Sequence, residues 1–260
     1  VSLRGSDVPG FSDGRLEGRF GRLFRPIIAR TLRAADVVAP NSTVLRDLAE
    51  SFRPDLAGRM RIVENGVEAE LIAGGPASSP GNGVRIVQLG QLIARKRPAM
   101  TVHAIASLRR NGVDARAVLI GEGPLKSEVE ALCHSLEVSE HVELCGRLGR
   151  REIPRVLASC DIFVLPSAAE GMSNALLEGM AAGLPIVVTR NGSDEQVSRA
   201  DSGLVVEIDD QSGFEQALHR LAESQSLRQQ LAERGLAHAR AMTWERCARA
   251  FAELFDELRS

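Results

Sequence analysis

Beyond residue 84, short apolar runs alternate with stretches of helical periodicity. The runs are Arg85–Leu89, Ala115–Ile120, Val142–Leu144, Asp161–Leu165, Leu184–Val188 and Leu204–Val206, and most are nearly unbroken in Ile, Val and Leu. Strands buried on both faces have that composition. Between them the pattern predicts helices at Pro98–Asn111, from Pro124 to about Leu136, at Arg151–Ser159, and from Ser173 or Asn174 to Ala182. Pro98 opens the first of these, and Gly112 and Gly183 stop the first and the last. Three more helical stretches, Ser212–Glu223, Ser226–Ala241 and Trp244–Leu258, close the chain. Strand and helix in alternation predict an α/β fold: a doubly wound, parallel, Rossmann-like sheet of about six strands.

The front of the chain is less regular. Val1–Leu3, Asp36–Ala39 and Arg61–Val63 read as short strands, Asn41 or Ser42 caps a helix to Phe52, and Asn65-Gly66 reads as a turn. Two or three strands are few for an open sheet. Residues 1–75 are therefore expected to be an incomplete N-terminal half, unstable alone. The Gly/Pro/Ser-rich stretch from Leu71 to Gly83 supplies a linker, set at 76–83. Residues 84–241 form the main domain, and 242–260 a helix that packs back on the front half. A basic region carries Arg15, Arg19, Arg22, Arg25, Arg30 and Arg33. Phe20, Leu23, Phe24, Ile27, Ile28 and Leu32 recur there at helical spacing, with Pro26 as a kink or restart. Such a helix can lie on an anionic membrane, or pack on its own domain with a solvated Arg face.

Composition narrows the options. Aromatics make up 3 % and Tyr is absent, so aliphatics must fill the core. A net charge of -2 argues against nucleic acid as the partner. Four dispersed cysteines without C-x-x-C, and five scattered histidines, give no metal motif; they suit buried thiols in a reducing compartment. No apolar run is long enough to span a bilayer, and no signal-peptide pattern is present. The reading is a cytoplasmic protein, peripheral on the inner face of the membrane if the basic helix docks there.

Three loops fall on the strand-end edge where open α/β sheets bind ligands. Gly90-Gln-Leu-Ile-Ala-Arg95-Lys96-Arg97 puts three cations before a helix, against its dipole. An anion would complete that arrangement as a phosphate site; a solvated basic loop is the plain alternative. Gly121-Glu-Gly-Pro124 lacks the rest of a dinucleotide fingerprint and is weak alone. The third loop carries Glu170, and Gly171 lets backbone approach a ligand. Glu178 lies further along the helix, where a carboxylate can accept hydrogen bonds from a ribose diol. Alone, these glutamates are as well explained by helix-dipole stabilisation. Together with the cations they suggest a nucleotide-sugar.

These residues carry a resemblance. Gly90-x-Leu-x3-Lys96, Leu119-Ile-Gly-Glu-Gly-Pro124, Val142 to Gly146, Asp161-Ile-Phe-Val-Leu-Pro-Ser167 and the E-x7-E stretch from Glu170 to Pro185 resemble the donor domain of retaining glycosyltransferases of family 4, of GT-B architecture. Leu3-Arg-Gly-Ser-Asp7, Ala35 to Ser42 and Val63-Glu-Asn-Gly-Val67 resemble the end of the family's N-terminal domain. The resemblance implies transfer of a sugar from a UDP- or GDP-sugar to a glycan or lipid-linked acceptor, with retention, in polysaccharide or glycolipid biosynthesis. Glu170 would contact the transferred sugar and Lys96 the diphosphate. Glu178 would hold the ribose, and the amides of Gly171, Met172, Ser173 and Asn174 would lie near sugar and diphosphate. Gly90, Gln91 and Arg95 belong to the phosphate loop, and Arg147 and Leu148 would lie near the base. No cofactor or metal is implied. Gln91 stands where the family has Arg, leaving Arg95 or Arg97 to substitute, and Arg4 replaces a loop histidine. By this resemblance residues 1–75 would be a remnant of the Rossmann-like N-terminal acceptor-side domain without its first part, so the chain is expected to bind nucleotide weakly and turn over poorly. An epimerase or hydrolase of the same architecture, or a non-catalytic nucleotide-sugar-binding subunit, are the rival readings.

Overall fold

The computed structural model describes residues 1–5, 7–11, 19–68 and 83–259, with backbone alone for 19–22. Arg15 and linker residues 71–82 lie outside the described residues, as do the side chains of Arg19, Phe20 and Arg22.

Six strands form the main sheet: β3 (Val84–Leu89), β4 (Ala115–Ile120), β5 (Val142–Gly146), β6 (Ile162–Leu165), β7 (Ile186–Thr189) and β8 (Gly203–Val206). All pair in parallel, in the order β5-β4-β3-β6-β7-β8. This is the expected doubly wound sheet. The chain winds outward from β3 to β5, then returns to place β6 beside β3, with Val87 opposite Phe163. That reversal opens a crevice at the C-terminal ends of β3 and β6, the switch point where such sheets take ligands.

Side chains alternate across the pleat. Ile86, Leu119, Ile162 and Val164 enter one core, with Phe214 and Leu218. Val87, Val118, Phe163 and Leu165 enter the other, with Leu177 and Met180. Each sheet face is thereby covered, which explains the continuous apolar runs. The connecting helices are α3 (Pro98–Arg110), α4 (Lys126–Ser135), α5 (Ile153–Ala158), α6 (Asn174–Ala181), α7 (Asp194–Ala200), α8 (Gln211–Glu223), α9 (Gln225–Ala241) and α10 (Trp244–Glu257). Helix α7 has no apolar signature: only Gln196 and Val197 are buried on it. Helix α6 presses on β6 through Gly179, where an added Cβ would stand 2.6 Å from the Phe163 ring.

In the front segment, β1 (Ser2–Leu3) and β2 (Ala39–Pro40) form a two-stranded parallel sheet. Helix α1 (Arg19–Ala34) runs through Pro26 without a break, and α2 (Thr43–Phe52) is capped by Ser42, whose Oγ accepts from Leu45 N. Two expectations need correction. Arg61–Val63 is not a strand; it runs beside β2 through Arg61 N–Val38 O and Val63 N–Pro40 O, contacts too few for a ladder. Asn65-Gly66 is not a turn: Gly66 is required by close approach, since a Cβ there would lie 2.3 Å from Trp244 N. Val67 N then donates to Met242 O at 2.8 Å. Cys247 and Leu254 of α10 pack with Ala39 and Val63.

Candidate functional site

The site begins with the loop after β3. Gly90 has φ of +154° and swings the chain out of the sheet. A 3-10 turn at Ala94–Lys96 follows, then Arg97 in the left-handed region at φ +48°, and Pro98 opens α3. The loop rests on the one after β4, where Cβ atoms on Gly121 and Gly123 would stand 2.0 Å from Gly90 O and 2.3 Å from Leu92 O. Those two glycines scaffold the neighbouring loop. Gln88 fixes it from below: its Nε2 donates to Lys96 O (2.8 Å), and Thr101 Oγ1 donates to Gln88 Oε1 (2.7 Å).

The loop after β6 meets this one. Ala168 N donates to Arg95 O (2.7 Å), and Arg95 Nη1 to Ala169 O (2.9 Å). Glu170 is 7 % exposed, and both carboxylate oxygens have a cation. Lys96 Nζ lies 2.6 Å from Oε1, and Arg95 Nη1 3.1 Å from Oε2. A carboxylate this buried is tolerable only when so paired. Its backbone N–H donates to Asn191 O, which anchors the loop to the end of β7. The third cation diverges: Arg97 pairs with Asp209 instead. Of the two arginines able to stand in for one at Gln91, Arg95 is the one at the site.

Glu170 lies between two cavities. One, of about 470 Å³, is lined by Asn65, Gly90, Lys96, Glu170, Asn174 and Trp244, among others. The second, of about 310 Å³, is lined by Asp7, Phe11, Arg95, Glu170 and Gly171. Arg4 and Met172 reach both. Arg95 also lies 5.8 Å from the Phe11 ring centroid.

Of the sequence-predicted residues, the structure gathers Gly90, Arg95, Lys96, Glu170 and the Gly171–Asn174 stretch around these cavities. Ser173 serves the framework: its N–H donates to Ser193 Oγ and its own Oγ caps α6 at Leu176 N. Glu178 is not among the lining residues, but it follows Asn174 by one turn on the same face of α6. Burial pushes its carboxyl up to about 6, against a weaker lowering by the Arg150 charge. Gln91 and Arg147 are exposed, and Leu148 is half-buried against the core; none lines either cavity.

Residues 76–238 match the model of the family described as glycosyl transferases group 1. The chain belongs to that family. Among its relatives is the N-acetylgalactosamine-N,N'-diacetylbacillosaminyl-diphospho-undecaprenol 4-alpha-N-acetylgalactosaminyltransferase of Campylobacter jejuni, 31 % identical over 83 % of this chain and 58 % of that protein. Another is the GDP-mannose-dependent alpha-(1-6)-phosphatidylinositol monomannoside mannosyltransferase of Mycobacterium tuberculosis, 29 % identical over 70 % of this chain and 51 % of that protein. The chain spans about half the length of the curated relatives it matches. The solved sucrose-phosphate synthase from Thermosynechococcus elongatus superposes with a TM-score of 0.80 at 20 % identity, over 95 % of this chain and 64 % of that one, which shows the fold.

Other residues brace these loops without a pattern that marks them in the sequence. Gln88 lies inside an otherwise apolar run, and a buried polar side chain in a strand is itself a signal. Asn65 precedes a glycine, which by sequence alone signals a turn. Asn191 and Ser193, which hold the Glu170 loop from behind, sit in a segment without periodicity. Among the described residues no cluster of His, Cys, Asp and Glu is placed to hold a metal ion.

Proposed function

We propose that this group 1 chain is the donor side of a retaining glycosyltransferase that moves a sugar from a UDP- or GDP-sugar to a glycan or lipid-linked acceptor. The observation that carries the reading is the clamp of Glu170 by Lys96 and Arg95 at the switch point, between two cavities. The larger cavity, bounded by Gly90, Lys96 and the start of α6, suits a sugar diphosphate. As the bond between the sugar and the diphosphate breaks, charge grows on the leaving oxygen. Lys96, held through its own carbonyl by Gln88, faces that charge, so no metal is needed for it. Gly171 and Asn174 border the sugar. Gly90, Gln91 and Arg95 form the phosphate loop, Glu178 takes the ribose, and the chain at Arg147 and Leu148 lies toward the base.

Glu170 orients the sugar hydroxyls. Two cations already hold its oxygens, which lowers their nucleophilicity and favours departure and attack on one face over a covalent intermediate. The relatives' names supply the acceptor classes, a diphospho-undecaprenol-linked sugar and a phosphatidylinositol mannoside. Incubating the full-length protein with UDP- and GDP-sugars, with and without a lipid-linked acceptor and with EDTA, tests the proposal. Acceptor-dependent, EDTA-resistant nucleotide release with retained configuration is expected. Epimer formation, acceptor-independent hydrolysis or binding without turnover would favour a rival.

A second element of the proposal places the protein on the cytoplasmic face of an anionic membrane through the Arg15–Arg33 region. No helix among the described residues is long and apolar enough to cross a membrane. Helix α1 nevertheless exposes Leu23 (70 %), Phe24 (52 %) and Ile27 (60 %), with Arg25, Arg30 and Arg33 exposed on the same helix and no acidic residue in it. Among the described side chains of α1 only Leu32 is buried, with Ile28 and Ala29 half-buried. Apolar insertion plus basic attraction is the interfacial-helix pattern. Flotation with phosphatidylglycerol vesicles is expected for the wild type and lost in Arg30→Glu/Arg33→Glu; no flotation of the wild type would remove this element.

A further inference from the structure

Asn65 lies in the front segment, yet its side chain is 7 % exposed and works across the cleft. Its Nδ2 donates to Met172 O (3.2 Å) and to Asn174 Oδ1 (2.7 Å), while its Oδ1 accepts from Arg4 Nη1. Its backbone N–H points at Met172 Sδ, 3.1 Å away. The backbone behind it has little freedom, because Gly66 abuts Trp244 and Val67 is bonded to Met242. Arg4 is held in its turn: Nε donates to Ser2 Oγ (2.9 Å), and the guanidinium lies 5.5 Å from the Phe251 ring centroid on α10. One side chain therefore links the front segment to residues two and four positions after Glu170.

We infer that Asn65 is a positioning residue for transfer, holding Arg4 and the Met172–Asn174 segment in register so that the second cavity is formed beside Glu170. The inference rests on the proposed glycosyltransfer. The site requires an amide: one oxygen to receive a guanidinium and one NH2 to serve two oxygens. Asp keeps the size and the acceptor but loses both donors and faces two oxygens with its charge. Asn65 and Arg4 also line the larger cavity, so their loss touches nucleotide binding as well, but Lys96 keeps its ion pair with Glu170 and its bond from Gln88. What it loosens is the relation between bound donor and the Arg4 side.

The test compares wild type, Asn65→Asp and Arg4→Gln of the full-length protein. Arg4 is exposed, so its substitution leaves a folded protein even where Asn65→Asp lowers the melting temperature. Calorimetry gives Kd for UDP and GDP, and acceptor-dependent nucleotide release gives kcat and KM. The expected result in both variants is a kcat/KM for the acceptor reduced at least tenfold, a clearly larger factor than the accompanying weakening of the nucleotide Kd. The double variant should be no worse than the more damaged single one. Full transfer by both variants overturns the inference alone, as does a nucleotide Kd that weakens by the same factor as kcat/KM. A wild type that binds nucleotide but never transfers removes the proposed function, and this inference with it.

Discussion

Glu170 and Glu178 stand eight residues apart on one loop-and-helix unit, and their surroundings are opposite. The loop after β6 delivers Glu170 between two cations, one ion-paired to each oxygen, with its amide tied to Asn191 just beyond β7. The body of α6 holds Glu178 against apolar packing, with Gly179 pressed on Phe163 and the exposed Arg150 as the charge acting on it. One carboxylate is neutralised in place before any ligand arrives. The other is short of partners and is raised to about 6 by burial. A site that must both orient a sugar and recognise a ribose uses the first kind for geometry and the second for affinity.

That contrast can be broken in order of effect. Glu170→Ala leaves Lys96 and Arg95 without their shared anion and the sugar without its guide. Misplacement of about 1 Å costs roughly 100-fold in rate, so kcat is expected to fall about 100-fold, measured by nucleotide release at saturating donor. Glu178→Gln removes a charged acceptor; hydrogen bonds to charged groups contribute about 1.5–3 kcal/mol, so the nucleotide Kd should weaken about tenfold or more in calorimetry.

The pH dependence of Glu178 gives a smaller, signed effect. Its carboxyl is raised from 4.5 to about 6, so in that window the native state holds more protons than the unfolded state. This group's contribution to stability therefore falls as pH rises through the window. Ribose binding needs the ionised form, so affinity for an intact nucleotide-sugar should rise over the same range, by a few-fold, and the rise should be absent in Glu178→Gln. The smallest effect belongs to Arg97→Ala. Its partner Asp209 is largely solvated, and such pairs contribute under about 1 kcal/mol. Donor affinity should stay within about twofold, whereas Arg95→Ala should lower turnover.

The sheet was legible because β6 and β7 are buried throughout and β3 and β4 nearly so, which leaves runs dominated by Ile, Val and Leu as in a parallel sheet covered on both faces. Glu170 and Lys96 were legible because strand ends and a helix start put them on one edge. Helix α7 was not, since its buried residues are one Val and one Gln. Asn65 was not either: the signal that makes Asn-Gly a turn is local, and here Gly66 answers a long-range approach by Trp244. The divergence of Arg97 from Arg95 and Lys96 depends on its left-handed backbone at φ +48°, which periodicity does not carry. The exposed apolar face of α1 was written in its spacing, but its exposure required the packing around it.

The most direct test of the account is a paired measurement of nucleotide Kd and kcat for Glu170→Ala and Glu178→Gln in the full-length protein. The account predicts a crossing: Glu170→Ala binds nucleotide within threefold of wild type and turns over about 100-fold more slowly, while Glu178→Gln binds about tenfold more weakly and keeps most of its kcat at saturating donor. Equal losses in both properties for both variants, or none in either, would contradict it.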